Sequence, residues 1–507
     1  MKHKTGLRFF IFTMIIIGVS LLCFFIKIHP LYIYDTDDWT YISYSRPAWP
    51  TVKQWNPTKI LPEILMPLSA ELGVRFIYPF TGDYIGSMAV TFGIVLVVFI
   101  MGYLVCFGKV LDSVGINTFE KTALTIAFVL YHFIPFSIDE INNRYLFYGG
   151  SVNCTYNYLL PGMLNAAAVM YFMSIEKEYK EMRMRKDNKY LGVLLLIIYL
   201  CINSNMFHSI ILASYAGSNI LLSVIMWLKT KIRAKKNDRF KIFYCEVVKS
   251  NVIWILIDLA WFAMLTFEIR GNRAARSSTS IFELPVGETI SCFINSIHTM
   301  NKMFLTSCIL FILAGFLTYF YSVLQQSMKK EDTWYIELTI KTISSAIITI
   351  IYLILLCAKV SPVYLSNNIV EISWIIWLLC LAFFSLAYIL RKFPRIKVVF
   401  PILLFTLLNY TVLDGKTYAE ANVAGFSAET VKELDEHLIC QIQEADNKGL
   451  SDVVVTVPRH TSEDWPIALS YGGDRIAISL FRHGITSKRM NVTLIMDSQI
   501  NDKYHLL

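Results

Sequence analysis

Charge is scarce in this chain. Asp, Glu, Lys and Arg make up 17% of its 507 residues, against roughly 25% in an ordinary soluble domain. That shortfall excludes a water-soluble globule. There is no P-loop, no GxGxxG, no HExxH and no nucleophile elbow, so the common nucleotide, dinucleotide, zinc-protease and serine-hydrolase sites are set aside. No internal repeat or low-complexity tract is present. The ten cysteines build no disulfide framework. Cys23, Cys106, Cys201, Cys308, Cys357 and Cys380 sit in apolar runs, where a thiol is a small hydrophobe. Cys154, Cys292 and Cys440 map to one side, an odd number at no metal-like spacing. No small-residue cleavage site follows Cys23, so MKHKTGLRFF opens a retained first helix rather than a removed signal peptide.

What is present is apolar: 55% hydrophobic residues, 14% aromatic, in runs of roughly the 20 residues that span a bilayer. Eleven such runs are read, at about 8–28, 86–108, 121–137, 159–175, 190–206, 208–228, 251–267, 302–324, 335–357, 372–390 and 398–413. The net charge of +8 gives no reason to invoke nucleic acid, because the basic residues cluster in loops between the runs. Lys2 and Lys4 precede the first run. Lys177, Lys180, Arg183, Arg185, Lys186 and Lys189, the segment from Lys229, Lys329 with Lys330, and Arg391 to Lys397 fall in alternate loops. The positive-inside bias then puts the N-terminus in the cytoplasm and the C-terminus outside. The lipid bilayer is the first implied partner. The expected fold class is an all-α polytopic membrane protein of about 11 transmembrane helices, residues 1–413, with outer loops 30–85, 138–158 and 268–301. A small outer α/β C-terminal domain follows at 414–507: helical periodicity at 427–444 and 474–485, strands at 453–457 and 491–496. At roughly 90 residues it is marginal alone, so it is expected to dock on the loops. Within loop 30–85, Ile60, Leu61, Ile64, Leu65 and Leu68 suggest a short amphipathic helix lying in the interface, with Pro62 and Pro67 arguing against it.

The stretch YDTDDWTYISYSR, residues 34–46, places Asp35, Asp37 and Asp38 with Trp39 and Tyr41 where the first span surfaces. Paired carboxylates there can take a proton from a hydroxyl or hold a divalent cation; the alternative is a solvated helix exit. Arg270, Arg273 and Arg276 gather in ExRGNRxxR from Glu268, with Gly271 and Asn272. Three guanidiniums on the outer side run against the topology rule and suit a phosphate or pyrophosphate, which arginine clamps bidentately. The competing reading is a salt-bridged loop pairing with Glu268, Glu283 or the aspartates. The second outer loop offers Asp139, Glu140 and Arg144 with Tyr145, Phe147, Tyr148, Tyr156 and Tyr158, a set that suits sugar binding and equally an interfacial aromatic belt. His132 and His208 lie near the outer ends of spans, as structural or binding groups. Asp258, inside a span, is expected to face the bundle.

The acidic pattern YDTDDW at 34–39, after one N-terminal span and in a long first outer loop, resembles the GT-C glycosyltransferases. GGSVNCTYNYLLPG at 149–162 and GNRAAR at 271–276 are similar, more loosely, to bacterial multi-pass proteins related to O-antigen glucosyltransferases and to mannosyl- and arabinosyltransferases. That resemblance implies a GT-C-like catalytic unit using a polyprenyl-phosphate-linked sugar donor and a surface glycan, teichoic acid or O-antigen acceptor, in the bacterial plasma or inner membrane. It implies Asp37 or Asp38 as general base. Asp35, Trp39, Asp139, Glu140, Arg144, Tyr156, His208, Glu268 and Asn272 are then read as substrate-binding, with Arg270, Arg273 and Arg276 on the lipid phosphate. No resident metal is assigned, although some members of the class use Mg2+ or Mn2+ with the acidic motif. The competing readings are a polysaccharide polymerase or ligase, with similar outer arginines, and a transporter or flippase of lipid-linked sugars, which would place polar residues at mid-membrane.

Overall fold

The structure, a computed structural model, describes residues 2–33, 35–136, 145–182, 191–231, 243–276, 283–326, 332–393, 400–409, 426–461 and 465–506. It is a helical bundle followed by a short α/β segment. Among the described residues, eight helices are long and apolar enough to cross a membrane: Gly6–Ile28, Tyr84–Ser113, Val152–Glu176, Met206–Lys229, Val252–Ile269, Lys302–Leu324, Thr333–Val360 and Asn368–Lys392. Each coincides with an apolar run of the sequence. The other three runs correspond, within the described residues, to shorter helical stretches, Thr118–Tyr131, Leu191–Ile202 and Phe400–Leu408. Among the described residues, eight of the eleven expected spans thus reach spanning length. Leu191–Ile202 stops because Asn203, Ser204 and Asn205 turn the chain: Ser204 Oγ donates to the Cys201 carbonyl at 2.6 Å and Asn205 Oδ1 accepts from the Phe207 amide at 2.8 Å.

Polar caps start several of these helices. Asp83 accepts from the Gly86 amide at 2.8 Å, Asn117 from Glu120 at 3.0 Å and Asn301 from Phe304 at 3.1 Å. Each satisfies an amide that the helix itself leaves without a partner. Large apolar side chains such as Leu256, Leu259, Leu310, Leu317 and Ile351 stay exposed, as lipid-facing positions of a membrane helix should. The Asn368–Lys392 helix is instead buried along nearly its whole length. Tyr388 on it stacks on Tyr335 at 4.5 Å between ring centroids, and Phe383 meets Phe128 edge-on at 5.0 Å.

The interfacial helix expected around residue 60 is a 17-residue helix, Ile60–Phe76, packed along Tyr84–Ser113. Pro62 lies in its first turn, where the missing N–H has no helical partner anyway, and Pro67 is accommodated inside. Close packing of the two helices depends on Gly73: a Cβ there would lie 2.6 Å from the Ser87 carbonyl oxygen and 2.9 Å from the Met88 Cα, both backbone atoms. Gly73→Ala is therefore expected to cost about 1–3 kcal/mol by overpacking, read as a lower melting temperature of the detergent-solubilised protein. An unchanged midpoint would show that the two backbones can separate freely.

The chain ends in the expected order of elements: helix Ala428–Asn447, strand Asp452–Pro458, helix Gly472–Arg482, strand Asn491–Asp497, and a further short helix, Ser498–Tyr504. The strands pair in parallel, with Asp452 opposite Asn491 and Pro458 opposite Asp497. Hydrogen bonds and ion pairs sort the bundle into two ends. One, the acidic end, holds residues 29–59, the starts of the Tyr84–Ser113, Val152–Glu176 and Asn368–Lys392 helices, and this α/β segment. At the opposite end Lys121 pairs with Asp112 at 2.8 Å, Lys392 with Asp332 at 2.7 Å and Lys341 with Glu176.

Candidate functional site

The acidic stretch folds into a short helix, Thr36–Tyr41, that gives its three aspartates different work. Asp35 is the N-cap, accepting from the Asp38 amide at 2.9 Å. Asp38 is fully buried, and its carboxylate accepts from the amides of Asn153 at 2.5 Å and Val152 at 3.4 Å. These are the first amides of the helical run from Val152, so Asp38 supplies negative charge where unsatisfied N–H groups and the helix dipole favour it. Trp39 is buried with it. Asp37 is the exposed member. Four residues on, Tyr41 lies on the same helix face, and the charges of Glu63, Asp37 and Arg273 all reach its hydroxyl, which burial pushes up.

The helix is wedged from behind by the C-terminal segment. The Ala468 amide donates to Thr36 Oγ1 at 2.7 Å, Ser479 Oγ to the Trp39 carbonyl at 2.7 Å, and Arg482 Nη1 to the Ser43 carbonyl at 2.7 Å. Lys432 pairs with Asp83 at 2.5 Å, and Tyr84 shares a hydrogen bond with His483 at 2.6 Å.

Residues 46–59 form the second wall. Arg46 is buried and donates to the carbonyls of Asn56 at 2.5 Å and Pro57 at 3.1 Å and to Glu63 Oε2 at 3.0 Å. That pair ties the loop to the Ile60–Phe76 helix. Removing one partner of a buried pair leaves an uncompensated charge and costs about 3–5 kcal/mol. Arg46→Met is thus expected to lower the unfolding midpoint steeply, and adding Glu63→Leu to recover most of the loss. No recovery in the double variant would mean that the arginine's carbonyl contacts, rather than the ion pair, hold the loop.

The arginine loop docks on this wall. The amides of Asn272 and Arg273 donate to the carbonyls of Gln54 at 3.1 Å and Trp55 at 3.2 Å, and the Asn272 side chain to Lys53 at 2.8 Å. Thr58 Oγ1 donates to Glu268 at 2.7 Å. Gly271 permits the approach: a Cβ there would lie 2.7 Å from the Pro57 Cδ. Arg276 stacks over the Trp55 ring at 4.4 Å, and Arg273 reaches Tyr364 at 3.3 Å and Asn56 at 3.5 Å. Arg270 is exposed. None of the three guanidiniums forms an ion pair among the described residues.

Lys59 completes the wall. Its residue is 9% exposed and its ammonium sits 5.2 Å over the Tyr158 ring, with no ion pair among the described residues. Burial, then the neighbouring Arg273, pushes it down to about 8. Glu63 and Glu268 act on the ammonium in the opposite sense, but neither forms an ion pair with it among the described residues, and two cations so placed can take an anion.

Some expected residues do not join this group. His208 is fully buried and its ring donates to the Ile369 carbonyl at 2.9 Å, which makes it a tie between two helices. Tyr156 is core, edge-on to Phe92 at 5.7 Å. Asp258 lies on the face turned toward Gly217, as expected of a carboxyl that avoids lipid. Asp139, Glu140 and Arg144 lie outside the described residues. The sequence reading passed over Arg46, Lys59 and Glu63. A signal existed: Arg46 and Lys59 are basic residues on the side assigned as outer, the same anomaly that singled out the arginines.

A divalent cation has a poor donor set here. Asp35 and Asp38 spend carboxylate oxygens on backbone amides, and the described residues gather no group of three His, Cys, Asp or Glu that could hold a metal. A cavity of about 880 Å³ opens at the opposite end, lined by residues such as Trp254, Lys229, Glu246 and the paired Glu176 and Lys341. Its charges do not converge as those around Lys59 do, so we place the candidate site at the acidic end. No protein-family model, curated protein or solved structure matches the chain.

Proposed function

We propose that this chain is a glycosyltransferase of the GT-C type. It would move a sugar from a polyprenyl-phosphate donor to a surface glycan, teichoic acid or O-antigen, on the outer face of a bacterial plasma or inner membrane. The observation that carries the reading is the juxtaposition of buried Lys59 and half-buried Arg273, neither in an ion pair among the described residues, with an exposed carboxylate, Asp37, whose charge meets that of Arg273 at Tyr41. In this reading Asp37 takes the proton of the acceptor hydroxyl as its oxygen bonds to the anomeric carbon. The bond from that carbon to the phosphate oxygen breaks, and the phosphate leaves with the electron pair, held by Lys59 and Arg273. Asp38 positions Asp37 rather than reacting. The acidic end faces outward, the C-terminal segment with it, and the basic loops and N-terminus lie in the cytoplasm.

The test is transfer of radiolabelled sugar from polyprenyl-phosphate donors in membranes carrying the protein. Label moving to glycan only when the protein is present supports the proposal. Transfer confined to polyprenyl-pyrophosphate donors would replace it with a polymerase or ligase.

A further inference from the structure

The structure offers one more groove at the acidic end, between the acidic helix with the turn after it and the facing Gly472–Arg482 helix. We infer that it binds an anionic group of the acceptor, and that the acceptor is a glycan carrying phosphodiesters. This rests on the reading of Asp37 as the base, because it assigns the acceptor side of the same site.

The groove is lined by Trp39, Thr40, Ser43 and Tyr44 on one wall and by Arg475 and Arg482 on the other. Its volume is about 60 Å³, far below the roughly 300–1,000 Å³ of pockets that enclose whole small molecules. It therefore takes one small group and leaves the rest of the ligand outside. Arg475 and Arg482 stand seven residues apart, two turns along one face of their helix. Neither forms an ion pair among the described residues, and the nearest acid in sequence, Asp474, is taken by Arg489. No carboxylate lines the groove. Donors are in excess: Arg475 Nε and Trp39 Nε1 are buried with no hydrogen-bond partner, and an unmet buried donor costs about 1–3 kcal/mol. Arg482 also donates to the Ser43 carbonyl at 2.7 Å, so one guanidinium is fixed across the gap.

Unmet donors beside a guanidinium and no lining carboxylate select an oxyanion, and paired guanidiniums favour a tetrahedral one with several oxygens. Thr40 lies three residues, about one helical turn, beyond Asp37. An anion seated against Thr40 and Ser43 brings the attached sugar to the carboxylate that must deprotonate it. The C-terminal segment then selects the acceptor while the bundle holds the donor.

The experiment uses the full chain in nanodiscs of zwitterionic lipid and two probes of equal length, a six-unit oligo(glycerol phosphate) and uncharged maltohexaose. Binding is measured by thermophoresis for wild type, Arg482→Gln, the double variant Arg475→Gln/Arg482→Gln, and Asp37→Asn. Wild type should prefer the phosphate oligomer by tenfold or more. Arg482→Gln should weaken that preference, the double variant should abolish it, and Asp37→Asn should retain it. Arg482 is exposed, so its single variant is expected to fold even if the double one does not. Equal affinity of wild type for both probes, or a preference unchanged in Arg482→Gln, would overturn the inference. The transfer assay separates this from the underlying reading: loss of transfer in Asp37→Asn without any anion preference sinks only the acceptor assignment. Full transfer by Asp37→Asn sinks the base.

Discussion

Asp37→Asn is expected to lower sugar transfer by about two orders of magnitude or more, the usual worth of a positioned general base, and to leave the unfolding midpoint nearly unchanged. Asp38→Asn is expected to act through stability. The Asp38 carboxylate is buried and accepts from two amides at the start of the Val152 run. Its replacement by an amide removes the charge that those N–H groups and the helix dipole favour, and turns an NH2 toward donors. The cost should be about 1–2 kcal/mol, read as a lower midpoint. Any loss of turnover should follow from displacement of the acidic helix and should diminish on cooling well below the midpoint. Asp37 is exposed on a helix held elsewhere, so its loss has little folding cost. The measurement is turnover at saturating donor beside a thermal melt of the same preparations. A fully active Asp37→Asn would remove the base from the mechanism.

The second large effect concerns pH and the donor. Lys59 is held down to about 8, first by burial and then by Arg273. Only the ammonium form balances a lipid phosphate. The donor KM is therefore expected to be flat below about pH 8 and to rise tenfold per pH unit above it. Lys59→Met should raise the KM by an order of magnitude or more at pH 7 and remove the alkaline limb. Lys59→Arg should keep the KM flat into the alkaline range, because a guanidinium stays charged. The sign for stability is opposite. A lysine whose folded pKa lies below its unfolded value carries its full burial penalty below about pH 8 and loses it as pH climbs toward the ordinary lysine range. There the unfolded chain binds more protons than the folded one, so the donor-free protein gains stability as pH rises. Donor affinity falling while the midpoint climbs is a signature that a surface lysine would not produce. A pH-independent KM in wild type would show that the phosphate does not meet Lys59.

The apolar runs located each of the eight long helices of the described residues, because a span must satisfy its backbone internally and keep apolar side chains toward lipid. The β-rich run at 453–457 and the segment at 491–496 likewise located the two strands of the described residues. Where a short run ends was less legible: the turn at Asn203–Asn205 is built by side-chain hydrogen bonds, which leave no periodic trace. The acidic motif was visible as a motif, but its division of labour was not. Which aspartate faces solvent depends on the phase of a six-residue helix and on amides at Val152 and Asn153, more than a hundred residues away. The arginine loop stood out by charge, whereas its partners Trp55, Asn56 and Tyr364 did not. Lys59 showed in the sequence only as one more basic residue on the outer side: its standing as a buried cation arises only once the loops from 46–59 and 268–276 close on it.

The wedge behind the acidic helix also imposes an order of events during synthesis. Thr36 is bonded to Ala468 across 432 positions, and the Trp39 carbonyl to Ser479 across 440. Contacts of such long reach form late, and the N-terminal parts of a growing chain fold before the rest has been made. The bundle is therefore inserted while the acidic helix still lacks its backing, and the carboxylate gains its bearing only when the last strands and helices arrive. A half-made chain is thus a membrane bundle whose acidic helix still lacks the wedge that sets it in place.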